Sequence, residues 1–298
     1  MHLEWMARGG VHSRPSSEKY YLSTCQDDAN NNINWIEVYK AVKRVGVRDI
    51  DIQKSQVLFA KMKTGNSIVI KIGNDNKLYH EYMIGRKLKS IKGFVKFICY
   101  FECDDNFYDY FTKESGYLCK GPGNSMKVIL MPHFPLGSLA AYVWTNENCR
   151  VLKSCIKMAC LTICDAYEKK GIVHGDFHGG NVMLKETRQR EITYDNNISI
   201  PTYGYRTWIM DFENSQIVEG ARGRADHFYD MKRFITVLPT FITGIDKGAL
   251  GTIINFISSC EEGSGGLDKI TFCKSIDLGL RFQTSPPLHS HGSSTNGL

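Results

Sequence analysis

No apolar run in the 298 residues approaches the roughly 18 that a membrane-crossing helix needs. Met1 to Ser17 lacks the continuous apolar core of a secretory signal, so an intracellular address, cytoplasmic or nuclear, is expected. No charge sign dominates: Lys+Arg 37 against Asp+Glu 31 leaves +6, too small and too dispersed to argue for DNA or RNA as a partner. No membrane partner is expected either. No internal repeat is visible, and none of the ten cysteines forms a CxxC pair. Cys99/Cys103 and Cys160/Cys164 are four apart, a spacing that on a helix sets both on one face as small buried hydrophobes. Reduced thiols are therefore expected, rather than a disulfide framework or a zinc site.

What is present is an ordinary globular balance, 42% hydrophobic and 23% charged, enough for a sizeable core. The length allows one large domain or two lobes. Residues 1–32 are polar, end in Asp27-Asp28-Ala29-Asn30-Asn31-Asn32, and read as a tail. A second tail is expected over 276–298, whose end is rich in Ser, Gly, Pro and His. Between them the pattern changes once. Val57–Ala60 and Ser67–Ile72 read as strands around the turn Lys63-Thr64-Gly65-Asn66. Leu78–Ile91 suits a helix, and Phe94–Phe101 and Lys127–Met131 read as strands. From Val151 to Lys169, Leu152, Ile156, Ala159, Ile163 and Ala166 form one helical stripe, ended by Gly171. Short strands at Val182–Leu184 and Trp208–Met210 follow, then a helix over Phe228–Ile242 that Pro239 kinks or ends. The fold class is therefore α+β: a β-rich lobe followed by a mostly helical one.

The most specific stretch is His174-Gly175-Asp176-Phe177-His178-Gly179-Gly180-Asn181, on the turn between the long helix and a strand. It holds a carboxylate and an amide five residues apart. Ile209-Met210-Asp211-Phe212-Glu213 supplies a second carboxylate at a strand end, 35 residues after Asp176. Far upstream stand Ile68-Val69-Ile70-Lys71 and, on the next helix, Glu81. Phosphoryl transfer explains all five together, because positioning and charge neutralisation dominate that chemistry. A lysine grips phosphates, a glutamate steadies it, an aspartate and an asparagine hold Mg²⁺, and a second aspartate takes the hydroxyl proton.

In these motifs the chain resembles the protein kinase superfamily, over about Trp35 to Ile242. The resemblance implies a bilobal kinase-like fold: N-lobe 33–131, hinge 132–137, C-lobe 138–275. It implies ATP and Mg²⁺ as cofactors and a serine/threonine protein kinase acting on a protein substrate. By it Asp176 is the catalytic base, Asn181 and Asp211 ligate Mg²⁺, and Lys71 binds the phosphates and pairs with Glu81. Met131 backs the adenine pocket, with Pro132 to Phe134 as hinge, where the Phe134 N–H would meet the base. Gly137-Ser138-Leu139 resembles the hinge exit and the start of a helix. Asp230 resembles the aspartate that steadies the catalytic loop. His178 with Gly179-Gly180-Asn181 resembles two branches, one of aminoglycoside and related small-molecule phosphotransferases and one of haspin-like and large-DNA-virus kinase-like proteins, and Ile200–Tyr205 with the insertion Lys185–Ser199 resembles the second.

Departures from the family pattern keep other readings open. No G-x-G-x-x-G precedes Val57, and only Gly46 stands in Val45–Gln56, which argues against tight phosphate clamping. Gly175 replaces the arginine of H-R-D, so no switch through a phosphorylated activation loop is expected. Only 18 residues separate Asp211 from Asp230, with no A-P-E between them. Glu213 replaces the glycine of D-F-G and either adds charge near the metal or points away. The alternatives are a small-molecule kinase of the aminoglycoside phosphotransferase kind and a pseudokinase binding scaffold. A third is a metallohydrolase, in which His174, Asp176 and His178 alternate along one strand to hold a metal.

Overall fold

The computed structural model describes residues 56–61, 65–73, 76–103, 126–194, 198–263 and 266–282. The tail expected over 1–32, most of Val45–Gln56 and the end of the C-terminal tail lie outside these residues.

Strands β1 (Gln56–Lys61), β2 (Ser67–Gly73), β3 (Cys99–Cys103) and β4 (Met126–Pro132) form one antiparallel sheet, ordered β1-β2-β4-β3. Helix α1 (Asn76–Leu88) follows β2 and packs against β4. The two-residue pleat of β2 sends Ile68, Ile70 and Ile72 to one face and Val69 and Lys71 to the other. Register pairs Lys71 with Ile129 and Val69 with Met131. Cross-strand partners share a face. Lys71 therefore stands on the side of the sheet that joins the main hydrophobic core. The strand expected from Phe94 begins only at Cys99. Residues 94–98 instead tie the lobes together. Phe94 bridges Ile209, the Val95 N–H donates to the Ile209 carbonyl at 2.9 Å, and the Ile98 N–H donates to that of Leu130 at 2.8 Å.

Helix α2 (Cys149–Lys170) is the axis of the second lobe. The stripe Leu152, Ile156, Ala159, Ile163 and Ala166 is buried, and so are Cys155, Cys160, Leu161, Thr162 and Cys164. The middle of the helix is thus covered nearly all round, as befits a core helix. Gly171 takes a left-handed conformation and its N–H caps the Tyr167 carbonyl at 2.8 Å. No helix starts at Ser138. Gly137–Ala141 forms turns and a bridge from Ser138 to Met183, and α2 begins at Cys149.

After α2 come β5 (Ile172–Val173), β6 (Val182–Glu186), the hairpin β7 (Glu191–Thr193) and β8 (Ser199–Pro201), β9 (Tyr205–Ile209) and β10 (Gln216–Ile217). Helices α3 (Gly220–Phe241), α4 (Lys247–Glu262) and α5 (Lys269–Gly279) close the lobe. Helix α3 starts eight residues before Phe228 and carries Pro239 inside its last turn. Helix α5 is fixed to α2 by buried Lys269, 2.9 Å from Asp165 and 2.7 Å from Glu168. Ile276 and Leu280 are buried, so the packed chain continues beyond residue 275.

Cys160 and Cys164 share a buried face of α2, and burial pushes both thiols up. Cys99 and Cys103 differ from expectation. They end a strand, not a helix, and Cys99 is disulfide-bonded, to a partner outside the described side chains. Cys149, Cys155, Cys160, Cys164, Cys260 and Cys273 are free. Among the described residues no helix is long and apolar enough to cross a membrane.

Candidate active site

The face of β2 that carries Lys71 looks toward the end of β9, and there the lobes meet. Lys71 Nζ lies 2.7 Å from Glu81 Oε2 and 2.8 Å from Asp211 Oδ1. One ammonium thus joins residues 140 positions apart. Burial works against its charge, but the two carboxylates outweigh that and hold its proton above the ordinary lysine range. Glu81 is fully buried, and its Oε1 has no hydrogen-bond partner. Burial pushes its carboxyl up to about 7, against the pull of Lys71. With a carboxylate on each side, Lys71 keeps the proton of the pair.

Two more rungs of α1 hold the same segment. His80 Nε2 donates to the Ser215 carbonyl at 2.6 Å, and Lys77 Nζ lies 3.0 Å from Glu213 Oε1. Residues 77, 80 and 81 follow the i, i+3, i+4 rule and share one helix face. Glu213 is therefore occupied by α1, which resolves its direction.

Asp211 and Asn181 are brought side by side by the β6–β9 pair. Val182 pairs with Ile209, and the Met210 N–H donates to the Asn181 carbonyl at 3.0 Å. Asp211 adopts φ 68°, a left-handed conformation rare outside glycine. Asn181 donates Nδ2 to the Asp176 carbonyl at 3.0 Å, which leaves its Oδ1 uncommitted. Asp211 uses Oδ1 on Lys71 and has Oδ2 to spare. Two hard oxygen donors on neighbouring segments, one of them charged, are of the kind Mg²⁺ takes, since it binds a few protein oxygens and keeps the rest of its shell for water and phosphate.

Asp176 is flanked by a guanidinium and an imidazole. Its Oδ1 lies 3.0 Å from Arg233 Nη1 and its Oδ2 3.4 Å from His178 Nε2. His178 Nδ1 accepts from the Gly180 N–H at 3.0 Å, so Nε2 carries the ring proton and faces the carboxylate. The loop backbone is fixed from beneath, where Asp230 Oδ2 accepts from the Gly175 N–H at 2.8 Å. Burial pushes the Asp230 carboxyl up to about 6, against the N–H groups that bind it. Gly175 has φ 79°, and a Cβ there would stand 2.3 Å from the Asn214 carbonyl oxygen. No side chain fits, which explains why glycine occupies the arginine position of H-R-D.

His174 is buried. Its Nε2–H donates to the Met210 carbonyl at 3.0 Å and its Nδ1 accepts from the Asp176 N–H at 3.3 Å. Burial lowers its pKa, which suits a neutral packing ring. The metallohydrolase reading fails on this geometry. The strand ends at Val173, and His174, Asp176 and His178 are committed to different partners. Met131 and Phe134 are buried where β4 leaves the sheet, and Pro132 is the last residue of β4, paired with Ile68.

Sequence reasoning missed Arg233 and His80. The spacing Asp230 to Arg233, three residues on one helix, was the available signal for the first. For His80 there was none.

The two-lobed α+β order, a strand lysine paired with a helix glutamate, and a loop aspartate held from α3 decide the fold. It is protein kinase-like. No protein-family model matches this chain, and neither does any curated protein. Among solved structures it is similar to the BubR1 kinase domain, with 14% identity, 76% of each chain covered and a TM-score of 0.44.

Proposed function

We propose that the chain is a MgATP-dependent phosphotransferase whose acceptor is a serine or threonine hydroxyl of a protein. The observation that carries the reading is the convergence of Lys71, Glu81 and Asp211 within 2.8 Å contacts, beside Asn181 and a loop that presents Asp176. Lys71 would neutralise phosphate charge, Asn181 and Asp211 would hold Mg²⁺, and Asp176 would orient the acceptor and take its proton. The metal supplies electrostatic stabilisation of the transferring group when bound. Phe134 would offer its N–H to the base. The grip of α1 on residues 211–215 supports a site assembled without an activation-loop phosphate.

The charge around Asp176 favours a protein hydroxyl over a cationic small molecule. The Arg233 guanidinium flanks the base, and an aminoglycoside-like acceptor would meet like charge there. The acidic cluster Glu261-Glu262 offers no substitute, because Glu261 lies 2.6 Å from Lys232. The His174-Gly175-Asp176-x-His178 pattern fits small-molecule phosphotransferases as well as the haspin-like and viral branch, and Ile200–Tyr205 with the insertion Lys185–Ser199 favours the latter. A pure scaffold would have no use for a Mg²⁺-compatible pair beside a buried lysine.

The test is transfer of radiolabelled phosphate from ATP with Mg²⁺ to histone, casein and the chain itself, with Asp176→Ala as control. Transfer in the wild type that disappears in the variant supports the reading. Equal transfer by both removes Asp176 from its role, and binding of MgATP without transfer to any hydroxyl supports the pseudokinase.

A further inference from the structure

Behind β9 lies a cavity of about 250 Å³ whose charged lining side chains are all cations: Lys89, Lys92, Lys96 and Arg206. Its neutral lining includes Gln189 and Trp208. Among the described residues none of the four cations makes an ion pair, whereas Lys71, Lys157, Lys232 and Lys269 all do. Four like charges around one concavity repel one another, and a cleft lined by one sign focuses field on a counter-ion. The fold holds them in place regardless. The loop bearing Lys92 and Lys96 is fastened to β9 by the Ile209 N–H on the Gly93 carbonyl at 2.7 Å and the Val95 N–H on the Ile209 carbonyl at 2.9 Å. A second observation points the same way. Trp208 Nε1 is buried with no hydrogen-bond partner, beneath the Arg206 guanidinium, which sits 4.6 Å from the ring centroid. Buried donors without acceptors are rare and call for an explanation.

We propose that this cavity is a binding site for a phosphorylated serine or threonine on a partner polypeptide. A phosphomonoester brings a charge of about −1.5 to −2 and three acceptor oxygens, which suits three ammonium groups, a guanidinium and an orphaned indole N–H. Nucleic acid suits it less. Base stacking needs an open aromatic face, and that of Trp208 is taken by Arg206, with Phe134 6.4 Å away. A membrane suits it less too, because the apolar lining residues Ile91 and Ile192 are buried. The proposal does not rest on phosphoryl transfer by the chain itself.

The experiment is fluorescence anisotropy of the full chain with a fluorescein-labelled Gly/Ser peptide carrying two phosphoserines. The wild type binds, the unphosphorylated peptide does not, and a peptide with glutamate at both sites binds more weakly. Lys92→Glu with Lys96→Glu, and separately Arg206→Gln, each weaken binding at least about tenfold, while Asp176→Ala binds as the wild type does. The two lysines are exposed, so their reversal leaves the fold intact, which the melting temperature checks. No binding by the wild type, or equal binding by the charge-reversed variant, overturns the proposal. So does a single-stranded oligonucleotide that binds more tightly and depends on the same residues, since the site then belongs to nucleic acid.

Discussion

Arg233, on α3, places its Nη1 3.0 Å from Asp176 Oδ1, while Asp230 three residues earlier on the same helix holds the Gly175 N–H. One helix face thus fixes both the backbone and the carboxylate of the loop that presents Asp176. On the proposed function Arg233 acts through Asp176, as a positioning residue. Arg233→Ala should lower kcat by about 10- to 100-fold, the scale of a misplaced catalytic group, with little change in KM for ATP. Arg233→Lys should recover part of the loss. Steady-state kinetics on the three proteins checks this; a fall confined to KM would contradict it.

Lys71 and Glu81 form a buried pair, so removing one partner strands the other. Lys71→Met should cost about 3–5 kcal/mol of stability by leaving Glu81 buried and alone. It should also cost about 10²–10³ in rate. Lys71→Met with Glu81→Leu should restore most of the stability and none of the activity. Urea unfolding beside transfer assays separates the two effects.

Gly175 has neither the space nor the backbone angle for a side chain. Gly175→Ala should destabilise the protein by about 2 kcal/mol or more, from the left-handed conformation and the clash with the Asn214 carbonyl together. Gly175→Arg, which rebuilds H-R-D, should abolish activity. Melting temperatures of the two variants test the claim, and a stable, active Gly175→Arg protein would refute it.

His227 stacks on Tyr167 with centroids 4.7 Å apart, and its Nδ1 is buried without a partner. Burial lowers its pKa to about 4, with Lys269 adding to the shift. The unfolded chain therefore binds the extra proton first. The contribution is complete above about 6.5 and is lost as pH falls toward 4, worth about 2–3 kcal/mol by pH 4.5. Asp230 has the opposite sign: its carboxyl is raised to about 6, so its contribution fades as pH rises toward that value. Comparing wild type with His227→Phe isolates the histidine. Urea unfolding at pH 7 and pH 4.5 should show the wild type losing about 2–3 kcal/mol more than the variant.

The candidate site was legible because its residue types are scarce in combination and stand in a fixed order. Lys71 ends a β-branched strand, Glu81 lies on the next helix, and Asp176, Asn181 and Asp211 flank short apolar strands. The two-lobe order followed from the change of period from two to 3.6 at Val151. What stayed hidden depends on contacts across the lobes. His80 meets Ser215 across 135 positions and Lys77 meets Glu213 across 136. Nothing local in Phe94–Ile98 distinguishes a strand from a tie to β9. The cysteine spacing at 99 and 103 fits a strand face as well as a helix face, because four residues complete two strand repeats. Lys89, Lys92 and Lys96 look dispersed until β9 brings Arg206 beside them. Helices α4 and α5 follow a short polar connection that gave the helical pattern no clear start.

The central claim is a single MgATP site shared by the two lobes. Calorimetric titration of ATP, with and without Mg²⁺, into the wild type and Asp211→Asn tests it most directly. The account predicts Mg²⁺-dependent binding in the wild type, weakened at least about tenfold in the variant, whose neutral amide can neither pair with Lys71 nor charge-balance the metal. Equal affinity in both proteins, or ATP affinity indifferent to Mg²⁺, would contradict it.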